Sequence, residues 1–509
     1  MKKNLVLLIV MSLFMAFFSS CSKSGADIIP EDAQVVASVD FKKTALAMKD
    51  IKGDISAQLR GYLVMFPLSQ ESKDFLKEVI ENPNASGIKV TEPIYFSLLD
   101  AENKDMMISG MVSDQEAVEK SIQLLAKEAN KEVSLSETAT GIKYFDFGEV
   151  IFMYNSDYFV VKQYTLGESA SPIDVEMEKY FTMEKSFGNT AAYKHFASED
   201  GLAKLVVTPE SYKALSAVEL AELYGSPITP EELGNTSIVM SLNMKKGQII
   251  GAVDIEWGSE EMIALANEAS LFREIEGSFV PYISEESVLI AAANIAGSKF
   301  WNKLQEDCSQ EEIQKIVKNL KVDLPTLGTC VQSIDGDVTL AVGNKMVDDV
   351  PNMAIYVETV SDSLVTLLSA DTSFTAEGKD KWVHAFGANQ GDGVENGKVV
   401  MGYEDETSYL VVGDENVQPF NKVDDKMDSD WFDNKLLYAR LNMRELLKLE
   451  IDGKTLADIY RSDRHVYELL KLIDFIDLSV DKSASRMEWK IETIQKDKTP
   501  LELLYNMFF

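Results

Sequence analysis

One stretch of this chain occurs twice, and that recurrence limits the possible folds more than any other feature. Residues 30–41 read PEDAQVVASVDF, and residues 284–295 read SEESVLIAAANI. Each copy starts with a proline or a serine, continues with two acidic residues, and then becomes an apolar run of the kind found in β-strands. A strand motif that returns about halfway along the chain indicates an internal duplication.

Other landmarks occur in the same order in both halves. Residues 148–154 (GEVIFMY) match 397–403 (GKVVMGY), and residues 158–161 (YFVV) match 409–412 (YLVV). Farther on, residues 240–243 (MSLN) match 478–481 (LSVD). Each match alone is weak, because all strands use similar residues, but the shared order predicts a duplication. The alternative is two unrelated halves of similar composition.

Short predicted turns determine the expected fold class. The turns at 100–104, 155–157 and 245–247 are too short to join anything but antiparallel strands. After one of these strands, Ser113-Asp114 is predicted to cap a helix that ends near Asn130. Helices and strands do not alternate as they do in a parallel sheet. We therefore expect an α+β fold, built as two tandem copies of a mainly antiparallel sheet with helices packed on one face.

The expected domains follow from the duplication. Repeat one should span residues 30–275, and repeat two should span residues 280–509. The link between them is predicted within residues 274–282, EIEGSFVPY.

The N-terminus has the pattern of a bacterial lipoprotein signal. Lysines at positions 2 and 3 precede an apolar run from Leu5 to Phe18, and two serines then lead to Cys21. The run has 14 residues, fewer than the roughly 20 that a spanning helix needs. We predict a signal peptide at 1–20, followed by the lipidated Cys21 and a tether at 21–29. An ordinary secretory signal with an accidental cysteine is the alternative.

The charge of the chain excludes one class of function. The chain has 83 acidic and 49 basic residues, a net charge of −34, and the predicted cleavage would remove two more lysines. Such a surface repels the phosphates of nucleic acids and anionic lipid headgroups, so no nucleic-acid partner is expected. No run of five acids occurs, and solubility explains the charge more simply than cation binding does.

Two cysteines follow Cys21, and they leave two alternatives open. Cys308 and Cys330 would lie in an oxidising compartment after export. A disulfide between them would close a loop of roughly 20 residues, which the chain-entropy model values at about 3 kcal/mol. The alternative is two buried free thiols.

No catalytic or metal-binding motif is present in the sequence. The three histidines, His195, His384 and His465, are far apart, and the motifs HExxH, CxxC, GxSxG, Walker A and GxGxxG do not occur. Residues 334–337, IDGD, resemble the start of a calcium loop but lack the later ligands, so a tight turn is expected. Trp257 and Trp489 both follow a glutamate at a strand end, which favours core packing over a sugar platform. We predict no cofactor and no metal.

The segment IIPEDA at 28–33, followed by a strand that ends in Val39-Asp40, resembles a family of Bacteroidetes lipoproteins known only as a domain of unknown function. The lipoprotein signal and the order of helices and strands agree with this resemblance, which covers nearly all of the chain after Cys21. The resemblance implies a location and a fold, and it supplies no catalytic residues.

The expected function is therefore broad. We expect a non-enzymatic protein of the cell envelope, anchored to the outer membrane through the lipid on Cys21, that binds or scaffolds an envelope protein or a glycan. A periplasm-facing position is expected, with surface exposure as the alternative, because Asp27 is the only acid in the tether. One alternative function is a glycan-directed hydrolase with carboxylates assembled between the repeats. Another is a periplasmic chaperone or carrier with an apolar groove of more than a few hundred Å².

Overall fold

The computed structural model describes residues 23–48, 60–61, 63, 65, 67–148, 150–163, 173–213, 215, 229–320, 322–348, 350–369, 373–387, 396–451, 454–460, 463–483 and 485–508. The predicted signal peptide and Cys21 lie outside these residues. The chain divides into two units, Met1–Leu215 and Ser216–Phe509. Every strand pair among the described residues is antiparallel, and helices accompany both sheets, so the predicted α+β class is confirmed.

The described residues of unit 1 form an eight-stranded sheet. Its strands are β1 (Val35–Val39), β2 (Ile94–Asp100), β3 (Asp105–Met111), β4 (Leu135–Glu137), β5 (Lys143–Asp146), β6 (Val150–Tyr154), β7 (Tyr158–Gln163) and β8 (Ala203–Val207). The strand pairings give the order β8-β1-β2-β3-β7-β6-β5-β4. The predicted turns at 100–104 and 155–157 join β2 to β3 and β6 to β7.

Within the described ranges, six α-helices accompany this sheet. They span Phe41–Ala47, Gln70–Glu81, Gln115–Glu128, Ile173–Thr182, Ala191–Ser198 and Pro209–Lys213. The helix that the sequence predicts after Ser113 starts at Gln115, because the carboxylate of Asp114 accepts hydrogen bonds from the backbone N–H groups of Glu116 and Ala117. Val118 and Ile122 of this helix pack on Phe152 and Phe159 of the sheet.

The segment before β1 packs into the core of unit 1. Gly25–Ile28 forms a single 3₁₀ turn, and Ala26, Ile28 and Ile29 are at most 1% exposed. The predicted tether at 21–29 is therefore wrong from Ser24 onward. Burying a large apolar side chain is worth about 1.5–3 kcal/mol, so the two isoleucines of the short GADII run are enough to hold the segment in the core.

Unit 2 contains a longer sheet. Its strands are β9 (Ser237–Lys245), β10 (Gln248–Glu256), β11 (Phe272–Arg273), β12 (Leu289–Ala296), β13 (Ile334–Val347), β14 (Val350–Thr359), β15 (Thr375–Ala376), β16 (Lys381–Phe386), β17 (Gly397–Glu404), β18 (Thr407–Asp414), β19 (Lys435–Asn442), β22 (Ile473–Asp481) and β23 (Arg486–Thr493). The short strands β20 (Glu450–Ile451) and β21 (Lys454–Thr455) pair separately.

The strands of unit 2 pair in the order β9-β10-β23-β22-β19-β12-β13-β14-β18-β17-β16-β15, with β11 beside the end of β12. Its helices span Pro230–Leu233, Glu260–Ala269, Gly297–Asp307, Gln310–Leu320, Leu324–Ser333, Ser363–Leu368, Met443–Lys448, Leu456–Ile459, Arg464–Leu470 and Pro500–Phe508.

Eight strands of each unit pair in the same order within their sheet. The series β8-β1-β2-β3-β7-β6-β5-β4 of unit 1 corresponds, strand by strand, to β19-β12-β13-β14-β18-β17-β16-β15 of unit 2. The two copies of the opening motif lie on β1 and β12, and the YFVV and YLVV landmarks lie on β7 and β18. This correspondence supports the predicted duplication.

The boundary between the units differs from the predicted one. Repeat one was expected to end at 275, but the hairpin β9–β10 belongs to unit 2, because residues 248–254 pair with residues 486–492 of β23. Gly251 lies opposite Trp489, and a Cβ atom at Gly251 would come within 2.1 Å of the indole ring. Local patterning could not reveal this pairing, since its two strands are more than 200 residues apart.

The two later cysteines are free thiols in the structure. Cys308 is half-buried at the end of the helix Gly297–Asp307, and Cys330 is buried on the helix Leu324–Ser333. The Cys330 thiol donates to the carbonyl oxygen of Ser363 at 3.4 Å. No disulfide joins Cys308 to Cys330 in the structure, which corresponds to the second of the two alternatives that the sequence left open.

Candidate functional site

A cavity of about 550 Å³ opens on one face of the unit 2 sheet. Its floor is formed by neighbouring residues of β13, β14 and β18, and its walls by residues 282–287 and 416–425. Its volume lies in the range of roughly 300–1,000 Å³ that is typical of small-molecule sites. We call it the amide cavity, after the five side-chain amides that line it: Asn344, Asn352, Asn416, Gln418 and Asn421.

A bulge in β13 positions the first two amides. The register of β13 against β14 shifts between Val342 and Met346, and bulges of this kind redirect side chains. Asn352 Oδ1 accepts a hydrogen bond from the backbone N–H of Lys345 at 3.0 Å, and Asn344 Nδ2 donates to Glu445 Oε2 at 2.5 Å. These bonds hold both amides in place at the edge of the cavity.

The loop after β18 supplies the other three amides. Asp414 Oδ1 accepts from the backbone N–H of Asn416 at 2.8 Å, which starts the loop with a tight turn. Gln418 and Asn421 are exposed, and neither side chain makes a hydrogen bond to any residue that the structure describes. These two amides therefore have their full donor and acceptor capacity available.

Aromatic rings form one side of the cavity. The ring centroids of Tyr282 and Tyr356 are 5.8 Å apart, and both rings pack on Phe420, at 5.3 and 5.5 Å. Burial raises the pKa of Tyr356 to about 12, so its hydroxyl stays neutral at physiological pH. The cavity thus combines polar amides with an apolar ring surface.

The second copy of the opening motif forms part of the wall. The hydroxyl of Ser284 donates to the carboxylate of Asp425, and the backbone N–H of Glu285 donates to the carbonyl of the same aspartate at 2.9 Å. The backbone N–H of Glu286 donates to Ser284 Oγ at 3.1 Å. The acidic start of this motif therefore ties the chain to the loop that carries Gln418 and Asn421.

Three carboxylates line the cavity, on Glu286, Asp414 and Asp425. Those of Asp414 and Asp425 already accept the loop hydrogen bonds just described. That role is structural, and it leaves Glu286 as the carboxylate that makes no side-chain hydrogen bond within the described part of the chain.

The sequence indicated the repeated motif at 284–295, but it gave no prediction that the five amides would line a cavity. They come from three separate stretches, at 344, 352 and 416–421, and no spacing rule connects them. The one local signal is the density of asparagine and glutamine in residues 416–421, NVQPFN, directly after a strand.

The predicted turn at 334–337 is instead the start of β13. Asp337 is fully buried, and its carboxylate accepts hydrogen bonds from the backbone N–H groups of Glu276, Gly277 and Ser278 at 2.7–3.1 Å. Asn294 Nδ2 adds a fourth bond at 3.0 Å. This aspartate holds the segment before β12 against the sheet.

The three histidines lie in different elements, and none of them lines the amide cavity. His195 is buried on the helix Ala191–Ser198, His384 Nδ1 lies 3.0 Å from the carbonyl oxygen of Ser373, and His465 is exposed. Within the described ranges, no group of three or more histidine, cysteine, aspartate or glutamate side chains is arranged to hold a metal ion.

A smaller, apolar cavity of about 240 Å³ lies in unit 1 between the helices Gln70–Glu81 and Gln115–Glu128. Glu128 is at its edge, where its carboxylate accepts from Ser72 Oγ at 2.6 Å and from the backbone N–H of Ser69. Its volume is below the usual range for ligand sites of roughly 300–1,000 Å³. The amide cavity is therefore the stronger candidate site.

None of the helices in the described part of the chain has the length and apolar content of a membrane span. A comparison with curated proteins found no match. Among solved structures, crystal form IV of TP0453 matches with a TM-score of 0.27 and 11% identity, over 46% of this chain and 80% of that one. Crystal form III of the same protein matches with the same score and identity, over 50% and 89%. Similarity this weak carries no argument about fold or function.

The comparison with protein families is more informative. Residues 26–488 match a family described as a domain of unknown function, DUF4836. The match covers most of the chain, and it confirms the resemblance to a domain of unknown function that the segment IIPEDA indicated. The chain therefore belongs to the DUF4836 family.

Proposed function

We propose that this protein is a non-enzymatic binding protein of the cell envelope and that its amide cavity takes a hydroxyl-rich ligand, such as a segment of a glycan. The observation that carries the proposal is the set of five amides beside the rings of Tyr282 and Tyr356 in a cavity of about 550 Å³.

The chemistry of the lining favours such a ligand. A side-chain amide offers a donor and an acceptor together, which suits neighbouring hydroxyl groups. An aromatic ring such as that of the half-buried Tyr282 offers an apolar face to the C–H surface of a ligand. Among the described lining residues, Glu286, Asp414 and Asp425 outnumber the single cation, Lys345, so an anionic ligand is disfavoured.

The location remains part of this proposal. We infer that Cys21 carries a lipid and that the protein is anchored to the outer membrane, facing the periplasm, as in the Bacteroidetes lipoproteins that the sequence resembles. The support is the order of two lysines, an apolar run of 14 residues, two serines and a cysteine.

A glycan-directed hydrolase is the competing function, and the acids of the cavity are the observation that favours it. Glycoside hydrolysis uses two carboxylates, one as the acid and one as the base or nucleophile. Two of the three carboxylates here hold the loop through local hydrogen bonds. The geometry therefore supports binding more than turnover.

The test is a binding screen with the complete chain after residue 20 against a panel of envelope oligosaccharides, with binding measured by calorimetry. The variant Gln418→Ala/Asn421→Ala should weaken binding by about tenfold or more, since each lost hydrogen bond is worth roughly 1 kcal/mol. The matched control is Asn302→Ala, which removes an exposed amide from the helix Gly297–Asp307 and should leave the affinity unchanged.

Two results would overturn the proposal. If no oligosaccharide binds, the ligand class is wrong. If a bound oligosaccharide is cleaved, and cleavage is lost in Glu286→Gln, the protein is a hydrolase.

A further inference from the structure

The first described residues of unit 1 already contact its sheet and turns. Lys23 Nζ lies 2.6 Å from Asp157 Oδ2, and Ser24 Oγ lies 3.3 Å from the hydroxyl oxygen of Tyr95. Ser24 also caps the 3₁₀ turn that leads to the buried Ile28. Between Cys21 and Ser24 the chain advances by three residues, which spans at most about 11 Å.

This short connection places the proposed lipid at one end of the unit 1 sheet. Asp157 lies in the β6–β7 turn, beside Tyr158, which is paired with Met111 at the end of β3. The β2–β3 turn at 101–104 is at the other end of β3. A seven-residue strand spans roughly 20 Å, so the two turns are separated by about that distance.

The same end of the sheet carries an exposed aromatic residue and an exposed lysine. β1 ends at Val39, opposite Ile94, and the helix Phe41–Ala47 follows immediately. Phe41 is 44% exposed, and Lys42 is exposed and makes no ion pair with the described residues. Next to a lipid anchor, an aromatic ring can enter the interface of the bilayer, and an adjacent lysine can extend its charged head toward the headgroups.

We propose that this end of unit 1, which we call the anchor end and define by Lys23, Phe41, Lys42 and the turn Asn155–Asp157, lies against the surface of the bilayer in a fixed orientation. The partner is a zwitterionic lipid surface, since the net charge of −34 disfavours anionic headgroups. This inference rests on the lipidation of Cys21 in the proposed function. It adds that the anchor holds the protein closely, with one defined face toward the lipid.

The experiment uses the full lipidated chain in phosphatidylcholine vesicles that contain a headgroup-linked quencher. One fluorophore is attached through Ser156→Cys at the anchor end, and another through Glu102→Cys at the opposite end of the same sheet. Both positions are exposed turn residues, and both variants are made with Cys308→Ser and Cys330→Ser. We expect the label at 156 to be quenched several-fold more than the label at 102.

A pair of matched substitutions tests the role of the aromatic residue. Phe41→Asp should reduce the difference in quenching between the two labels. Met106→Asp replaces a side chain that is 54% exposed near the far end of the sheet, and it should leave the difference unchanged. Both side chains are largely exposed, so neither substitution should unfold the protein.

The possible outcomes distinguish the fixed orientation from the lipid anchor on which it rests. If wild-type protein floats with vesicles and Cys21→Ala protein does not, the anchor is established. Equal quenching at 102 and 156 in that case overturns the fixed orientation alone. If the wild-type chain fails to float, the anchor of the proposed function is wrong, and the inference falls with it.

Discussion

Arg440 and Asp477 form a bidentate ion pair inside unit 2. Arg440 Nε lies 2.6 Å from Asp477 Oδ1, and Arg440 Nη2 lies 2.9 Å from Asp477 Oδ2. Both side chains are about one-tenth exposed. The guanidinium also stacks between two rings, with its central carbon 3.8 Å from the centre of Trp431 and 4.5 Å from that of Phe475. The pair joins β19 to β22 where the two strands lie side by side.

Removing one partner of this pair should destabilise unit 2 strongly. Asp477→Ala leaves the Arg440 charge buried without its carboxylate, and the expected loss is about 3–5 kcal/mol of unfolding free energy. Urea denaturation followed by tryptophan fluorescence measures it. Asp335→Ala is the control, because its pair with Arg273 is about half exposed and should be worth at most ~1 kcal/mol. Equal losses in the two variants would contradict this prediction.

Glu492 should make stability depend on pH in the acid range. Burial would raise its pKa, but ion pairs with Lys490 at 2.8 Å and Lys496 at 2.7 Å hold the pKa down at about 2. A carboxyl whose pKa is lower in the folded state stabilises it above the ordinary pKa near 4.5, and this contribution is lost as the pH falls toward 2.

Glu492→Gln tests this prediction. Its thermal midpoint should be lower than that of the wild type at pH 7, and the difference should shrink as the pH falls from about 5 to 2. Glu260→Gln, which changes an exposed glutamate on the helix Glu260–Ala269, should show little difference at any pH. A difference in thermal midpoint between the wild type and Glu492→Gln that does not change with pH would contradict the predicted role of Glu492.

A substitution at Ile29 tests whether the segment before β1 is part of the folded core or a tether. The Ile29 side chain is 0% exposed, so Ile29→Ala should cost about 2–5 kcal/mol, as other large-to-small changes in cores do. Leu46→Ala removes an apolar side chain that is 59% exposed, and it should change stability by no more than ~0.5 kcal/mol. Urea midpoints compare the two variants. A negligible effect at Ile29 would restore the predicted tether.

The two free thiols should react at different rates. Under non-reducing conditions, a chromogenic thiol reagent should titrate both Cys308 and Cys330, with Cys308 reacting faster. Cys330 is 3% exposed, and burial raises the pKa of its thiol, so less of the reactive thiolate is present. Cys330→Ser should remove the slow phase and leave the fast one. If no thiol reacts until the protein is reduced, the disulfide exists after all.

Much of the local structure could be predicted because it depends on near neighbours in the chain. The β6–β7 turn at 155–157 follows from its polar residues between two apolar runs, and Asp114 caps the next helix through bonds to residues two and three positions ahead. The opening motif predicted strands at β1 and β12 for the same reason. The strand order common to the two units agrees with the landmarks that the sequence repeats.

Only the tertiary structure decided which distant segments meet. The pairing of Gly251 with Trp489 moves the hairpin β9–β10 into unit 2, and the burial of Ala26 and Ile29 turns an expected tether into core. The amides of the candidate site, such as Asn352 and Gln418, belong to separate strands and loops. Strand residues alternate between two faces, and sequence patterning shows that alternation but not which remote strand or loop will cover each face. Packing across the whole unit selects contacts of this kind. Local patterns therefore predicted individual helices and strands, whereas the tertiary structure determined which residues line the candidate cavity.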